Sequence, residues 1–152
     1  MQSKVGYKRI LVTGSTQGIG RAVAETFRDA GALVAINGRR NEDVEAVIET
    51  IGRKRLVGAP GDISTIDGCR AVVESAIGKL GGLDCLISNA GICPLARMMD
   101  VSEEHWDRVI GVNLRSALFV AKFALPELRQ SRGSIRRRRR PAQSPRGRRA
   151  SP

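Results

Sequence analysis

Cysteine is scarce in this sequence. Cys69, Cys85 and Cys93 are the only three in 152 residues, and their irregular spacing matches neither a disulfide framework nor a zinc site. A reducing, cytoplasmic setting is the expectation. Long apolar runs are missing as well. No stretch approaches the roughly 20 apolar residues of a membrane span, so no membrane partner is expected. Met1 to Gly6 lead straight into a strand-like segment without a signal-peptide apolar region. Acidic residues are absent from one end: residues 129–152 carry ten arginines and no Asp or Glu. The other sixteen Lys and Arg face all fifteen acids, so residues 1–128 are nearly neutral and ten of the eleven net positive charges belong to the tail. With 41% hydrophobic residues, the chain can bury one sizeable core and not two.

What is present alternates between two periods. Lys8 to Val12 is a short β-type run ending at Thr13-Gly14. Ile19, Ala22, Val23, Phe27 and Ala30 then share a helical face, closed by Gly31 at a C′-like position. Ala32 to Ile36 is a second buried strand, and Asn41 is placed to cap a helix through about Ile51. Leu56 to Ala59 form a short third strand. Ser64-Thr65-Ile66-Asp67 has the form of a capping box opening a helix to about Leu80. Leu83 to Ser88 are a fourth strand, and Ser102-Glu103-Glu104 open a further helix. Near Asn113 that helix passes into a longer one with an apolar face of Leu114, Ala117, Leu118, Ala121, Leu125 and Leu128. Strand–helix alternation with continuously apolar strands predicts an α/β fold: a doubly wound parallel sheet (Rossmann fold) of about four strands plus the start of a fifth at Gly133-Ser134-Ile135.

Thr13-Gly14-Ser15-Thr16-Gln17-Gly18-Ile19-Gly20 lies between the first strand and the first helix. Glycines there permit a tight turn, close approach of backbone N–H groups to a pyrophosphate, and close helix–strand packing. The helix start adds N–H donors and the positive end of its dipole. The spacing T-G-x-x-x-G-I-G resembles the cofactor motif of the short-chain dehydrogenase/reductase family, and other landmarks fall in the family's order. Asp62-Ile63 resembles the aspartate step that contacts the adenine ring. Ser88-Asn89-Ala90-Gly91 is similar to the N-N-A-G motif, with Ser for the first Asn. Val112-Asn113-Leu114 resembles the motif holding a catalytic asparagine. The resemblance covers about residues 7–135. It implies a nicotinamide dinucleotide held by Gly14, Ser15, Thr16, Gln17, Gly18, Ile19, Gly20, Asp62, Ile63, Asn89, Ala90 and Gly91, with Asn113 as the one catalytic residue present. Plainer readings stand beside these: Asp62 as a cap for the turn before Ser64, Asn89 as a bridge between strands, Asn113 as a kink or capping residue. His105 and Trp106 need no function.

The end of the second strand selects between NAD and NADP: a carboxylate binds the ribose 2′-OH and repels a 2′-phosphate, whereas an arginine accommodates the phosphate. Here it reads Ile36-Asn37-Gly38-Arg39-Arg40, with no acid at Asn37 or Gly38. Arg39 is therefore the candidate phosphate ligand, and NADP(H) is expected over NAD(H). Arg39 and Arg40 as a solvated pair is the alternative.

The family's reaction is hydride transfer between the nicotinamide and a small-molecule carbonyl or alcohol. The resemblance implies a Ser, a Tyr and a Lys four residues after the Tyr, all following the fifth strand. The only tyrosine is Tyr7, with Leu11 four residues on, so no Y-x-x-x-K is present. Instead Arg136 to Arg140 open a segment whose only apolar residues are alanines and prolines. The boundaries expected are a nucleotide-binding domain over 1–135 and a disordered Arg-rich tail over 136–152. Such composition is what GC-rich DNA yields when read out of frame, so a frameshifted or truncated gene is the expectation, with no turnover. The rival is a nucleotide-binding module whose polybasic tail attracts nucleic acid non-specifically, although no aromatics interleave for base stacking. Two further expectations are an exposed apolar edge at Leu83–Ser88 and doubtful oligomerisation.

Overall fold

The computed structural model describes residues 8–137, and the expectations for Tyr7 and for residues 138–152 lie outside them. Five strands alternate with helices: β1 (Arg9–Val12), α1 (Gly18–Asp29), β2 (Leu33–Ile36), α2 (Asn41–Ile51), β3 (Leu56–Gly58), α3 (Ile66–Leu80), β4 (Cys85–Ser88), α4 (Glu103–Ile110), α5 (Ser116–Gln130) and β5 (Ser134–Arg137). The strand order is β3-β2-β1-β4-β5, every pair parallel. The chain winds outward from β1 to β3 and then crosses back to β4, so the order reverses between β1 and β4. In such sheets the crevice beyond the strands' C-terminal ends at this reversal is where ligands bind.

The continuous apolar strands are explained by burial on both faces. Leu11, Ala35 and Leu86 point into a core with Val72, Val73 and Ala76 of α3 and Val120, Ala124 and Leu128 of α5. Ile10, Val12, Val34, Ile36 and Ile87 point the other way, against Ala24 of α1 and Val44, Val47 and Ile48 of α2. Helices on both faces are the usual cover for a parallel sheet.

Several local details depart from the expectations. The α3 cap is Thr65 rather than Ser64: its hydroxyl accepts from the Gly68 N–H at 3.1 Å. Asn41 is the first helical residue of α2 rather than its cap; Arg40 holds that position without a side-chain cap. The face of α1 is shifted, with Gly20 and Ala24 buried, Val23 and Phe27 partly so, and Ile19, Ala22 and Ala30 exposed. On α5 the buried stripe is Ser116, Val120, Ala124 and Leu128, while Leu114 and Leu118 are 57% and 63% exposed and Leu125 is exposed too. The edge expected at β4 is covered by β5, which continues into the arginine run and pairs Ile87 with Arg136 and Ser88 with Arg137. Contrary to the reading of apolar runs, the unbroken helical stretch Glu103–Gln130 is long and apolar enough, by length and composition alone, to cross a membrane. Val120, Ala124 and Leu128 bury one side of it in the core described above.

Candidate functional site

A cleft of about 710 Å³ opens at the C-terminal ends of β1, β2, β3 and β4, at the strand-order reversal. Its floor is the turn after β1. Gly14 has φ +60°, and a Cβ there would come within 2.9 Å of the Ala90 Cα. A Cβ on Gly20 would collide with the Gly14 carbonyl oxygen and the Asn89 amide nitrogen. Only glycine lets the turn and the first residues of α1 lie this close, and the α1 N-terminus faces the cleft as a result. That helix end carries no acid in its first turn, leaving its partial positive charge uncompensated by its own side chains.

Of the thirteen residues assigned to the cofactor from the sequence, twelve line this cleft: Gly14, Thr16, Gln17, Gly18, Ile19, Gly20, Arg39, Asp62, Ile63, Asn89, Ala90 and Gly91. Ser15 does not line it. Its side chain is fully buried, and its hydroxyl donates to the Val12 carbonyl at 2.7 Å and accepts from the Asn37 N–H at 2.9 Å. Asp62 both lines the cleft and fulfils its plainer reading, accepting from the Ser64 N–H at 2.9 Å. Asn89 bridges strands: its amide donates to the carbonyls of Thr13 and Gly14, each at 3.1 Å. Its Oδ1 is buried without a hydrogen-bond partner among the described residues.

Asn113 does not line this cleft but a second cavity of about 340 Å³, with Ser88, Cys93, Val109 and Arg137, which adjoins the first and shares Asn89, Ala90, Gly91 and Ile92 with it. It sits within a π-helical turn, Gly111–Arg115, between α4 and α5. Its Oδ1 accepts from the Ile92 N–H and its Nδ2 donates to the Ile92 carbonyl, both at 2.8 Å. The side chain thereby pins the loop after β4, and the widened turn marks a position frequent at functional sites.

Arg39 and Arg40 differ in a way the sequence did not show. Arg40 reaches back to Asp43 with two bonds, at 2.9 and 2.6 Å. The Arg40 hydrogen bond holds the Asp43 carboxyl below its usual range. Arg39 makes no hydrogen bond or ion pair to another described residue and is exposed at the cleft rim. Among the described residues no group of three or more His, Cys, Asp or Glu is placed to hold a metal.

With this geometry established, comparison with known proteins gives a single answer. A family model described as short chain dehydrogenase matches residues 8–136. The chain belongs to the short-chain dehydrogenase family. It is 36% identical over 129 residues to the uncharacterized oxidoreductase YvrD of Bacillus subtilis (strain 168), covering 84% of this chain and 49% of that protein. It superposes on the NADH-dependent reductase A1-R′ complexed with NAD at a TM-score of 0.76 and 34% identity, covering 86% of this chain and 56% of the other. A short chain dehydrogenase from Burkholderia cenocepacia J2315 in complex with NADP superposes at 0.77 and 31% identity, covering 83% and 53%. The chain thus spans about half the length of the relatives it matches. The described residues form the nucleotide-binding module of this oxidoreductase family.

Three residues that shape the site were not assigned to it from the sequence. Thr13 is buried, and its hydroxyl accepts from the N–H groups of Asn89 and Ala90 at 3.1 and 3.2 Å. Asp43 was invisible as the partner of Arg40, although the i,i+3 spacing could have raised it. Asn37 registered only as the absence of an acid.

Proposed function

We propose that this chain holds NADP(H) in preference to NAD(H), as the cofactor module of a family whose reaction is hydride transfer between the nicotinamide and a small carbonyl or alcohol substrate, and that these 152 residues do not themselves complete that reaction. The observation that carries the cofactor choice is the difference between the two arginines. Arg39 stands at the cleft rim directly after Gly38 with no partner among the described residues, while Arg40 is occupied by Asp43. A guanidinium so placed suits a 2′-phosphate, and neither Asn37 nor Gly38 offers the carboxylate that would hold a 2′-hydroxyl.

The residues present fit a dinucleotide. Gly14 and Gly20 leave room for a pyrophosphate at the helix end, the buried Asn89 Oδ1 has no donor among the described residues, and the cleft volume suits a ligand of cofactor size. When bound, the cofactor supplies or takes up the hydride. On this reading the residues of the glycine turn seat its phosphates, Asp62 and Ile63 border its adenine, and Asn113 holds the Ile92 backbone beside the reacting end. The solved relatives include one complex with NAD and one with NADP, so the fold accommodates both and the choice rests on Arg39.

Titration calorimetry of the 152-residue chain tests it. NADPH should bind more tightly than NADH, and Arg39→Ala should remove most of the difference, a loss of about 1.5–3 kcal/mol for a charge-assisted contact. Equal affinities in the unmutated chain would overturn the assignment.

A further inference from the structure

Asn37 follows the last residue of β2 and is 1% exposed. The β1–β2 ladder ends at Val12 and Ile36 and the β2–β3 ladder at Ile36 and Gly58. Beyond those residues the glycine turn leaves β1 and the segment 59–63 leaves β3, and strand pairing holds neither to the other. Backbone bonds tie the second segment to the end of β2, from the Ala59 N–H to the Ile36 carbonyl at 2.8 Å and from the Gly61 N–H to the Gly38 carbonyl at 2.9 Å. The Asn37 side chain joins the two segments to each other directly. The Asn37 backbone carbonyl accepts from the Ser15 N–H at 2.8 Å, and its own N–H donates to the Ser15 hydroxyl at 2.9 Å. Its side-chain Oδ1 accepts from the Gly14 N–H at 3.2 Å. Its Nδ2 donates the other way, to the carbonyls of Ala59 at 2.9 Å and Gly61 at 3.4 Å.

We infer that Asn37 is a positioning residue of the cofactor site: its amide fixes the phosphate turn at Gly14 and Ser15 against the Ala59–Gly61 segment that leads to Asp62. The inference rests on the cofactor reading above and adds to it the joint that keeps the two ends of the binding cleft at a set separation. A ligand that spans both ends then meets a site already in register and does not have to order the two loops itself. Among the described residues no hydrogen bond of the Asn37 side chain goes to a helix or to the body of the sheet, so its work is confined to the cleft's two walls.

The chemistry requires an amide. One atom must accept from a backbone N–H while its neighbour donates to two carbonyls, and asparagine supplies both in a side chain of this length. Ionised aspartate, of the same shape, has no donor and would set a buried negative charge against the oxygens of Ala59 and Gly61. Asn37 borders the cleft, but its side-chain atoms are engaged with Gly14, Ala59 and Gly61, whereas the exposed Arg39 at the rim makes no such bond to another described residue.

Two variants of the full chain test the joint, with NADPH, NADH and adenosine 2′-monophosphate as probes. The monophosphate reports on one end of the cleft alone, and NADPH spans both. Asn37→Ala should lower the ratio of NADPH affinity to monophosphate affinity by roughly tenfold or more, the scale of one or two unmade buried hydrogen bonds. A variant that is merely less folded weakens both probes alike, so an unchanged ratio would overturn the inference. Should Asn37→Ala not fold, Asn37→Asp takes its place. At neutral pH it should bind NADPH and NADH about equally less well than the unmutated chain, leaving their ratio intact. In acid, where the carboxyl gains a proton and can again donate to the Ala59 carbonyl, its affinity relative to the unmutated chain at the same pH should recover. An Asn37→Asp chain that matches the unmutated one throughout, or that changes only the NADPH:NADH ratio, also overturns it. Failure of the unmutated chain to bind any of the three probes is a different result. It would remove the cofactor reading itself and the joint with it.

Discussion

The guanidinium of Arg9 meets the Asp84 carboxylate through Nε at 2.9 Å and Nη2 at 3.1 Å, and the Asp84 Oδ2 also accepts from the Arg9 backbone N–H at 2.9 Å. This pair locks the start of β1 to the turn before β4, at the end of the sheet opposite the cleft. The Asp84 side chain is only 10% exposed, so the pair is worth more than an ordinary surface contact. Its carboxyl is held below the usual range, first by the Arg9 side-chain hydrogen bond, with burial acting in the opposite direction. A depressed folded-state pKa gives stability that is complete above the unfolded value, about 3.9, and is lost as pH falls through the folded one. Asp84→Asn should therefore cost about 1–3 kcal/mol in urea denaturation at pH 7, and the gap should close as the pH is taken below about 4. A gap constant down to pH 3 would show that the charge contributes nothing. Nothing in the sequence pointed to this pair, because 75 residues separate its members and only the sheet order makes them neighbours.

At the scale of elements, α5 shows why helical period alone was insufficient. Leu114, Ala117, Leu118, Phe119, Val120, Ala121, Phe123, Ala124, Leu125 and Leu128 are apolar nearly all the way round, so two stripes satisfied the pattern. The stripe of Val120, Ala124 and Leu128 faces α3 and the sheet; that of Leu114, Leu118 and Leu125 faces outward. Val120→Ala should destabilise by roughly 1–3 kcal/mol, as loss of buried methyls does. Leu118→Ala should stay within about 0.5 kcal/mol, as for surface positions. Chemical denaturation of both variants decides it, and equal costs would mean that the outward stripe is covered in solution. By contrast, the glycine turn, the Ser102 cap and the positive-φ Gly31 were legible, since each is a local backbone requirement. Ser102 does accept from the His105 N–H, at 3.1 Å, and Gly31 has φ +96°.

For the whole molecule, the cleft is shared among the ends of β1, β2, β3 and β4, whereas the family's acid–base tyrosine and lysine have no counterpart in these 152 residues. Hydride transfer to a carbonyl leaves an alkoxide-like oxygen that must gain a proton, and a positioned general acid contributes about 10²–10⁴-fold to such a step. Asn113 holds the Ile92 backbone but has no described tyrosine or lysine to serve. The purified chain should therefore oxidise NADPH only negligibly when offered a panel of ketones, aldehydes and quinones. Turnover on the order of one per second, in the range of ordinary enzymes, and abolished by Asn113→Ala, would mean that the acid comes from elsewhere.

The sequence by itself determined the α/β alternation, the glycine turn between first strand and first helix, and twelve of the residues that line the cleft. Each of these depends on local period, on backbone freedom or on a motif within one strand–turn–helix unit. Tertiary structure decided the rest. It turned Ser15 inward, set the Asn37 side chain between two loops, tied Arg40 to Asp43 while leaving Arg39 exposed at the rim, and chose the buried stripe of α5. It also carried β5 two residues into the arginines, where pairing with β4 satisfies backbone groups whatever the side chains are. These outcomes depend on which segments the parallel order β3-β2-β1-β4-β5 brings side by side, and that proximity is not encoded at any single stretch of the chain.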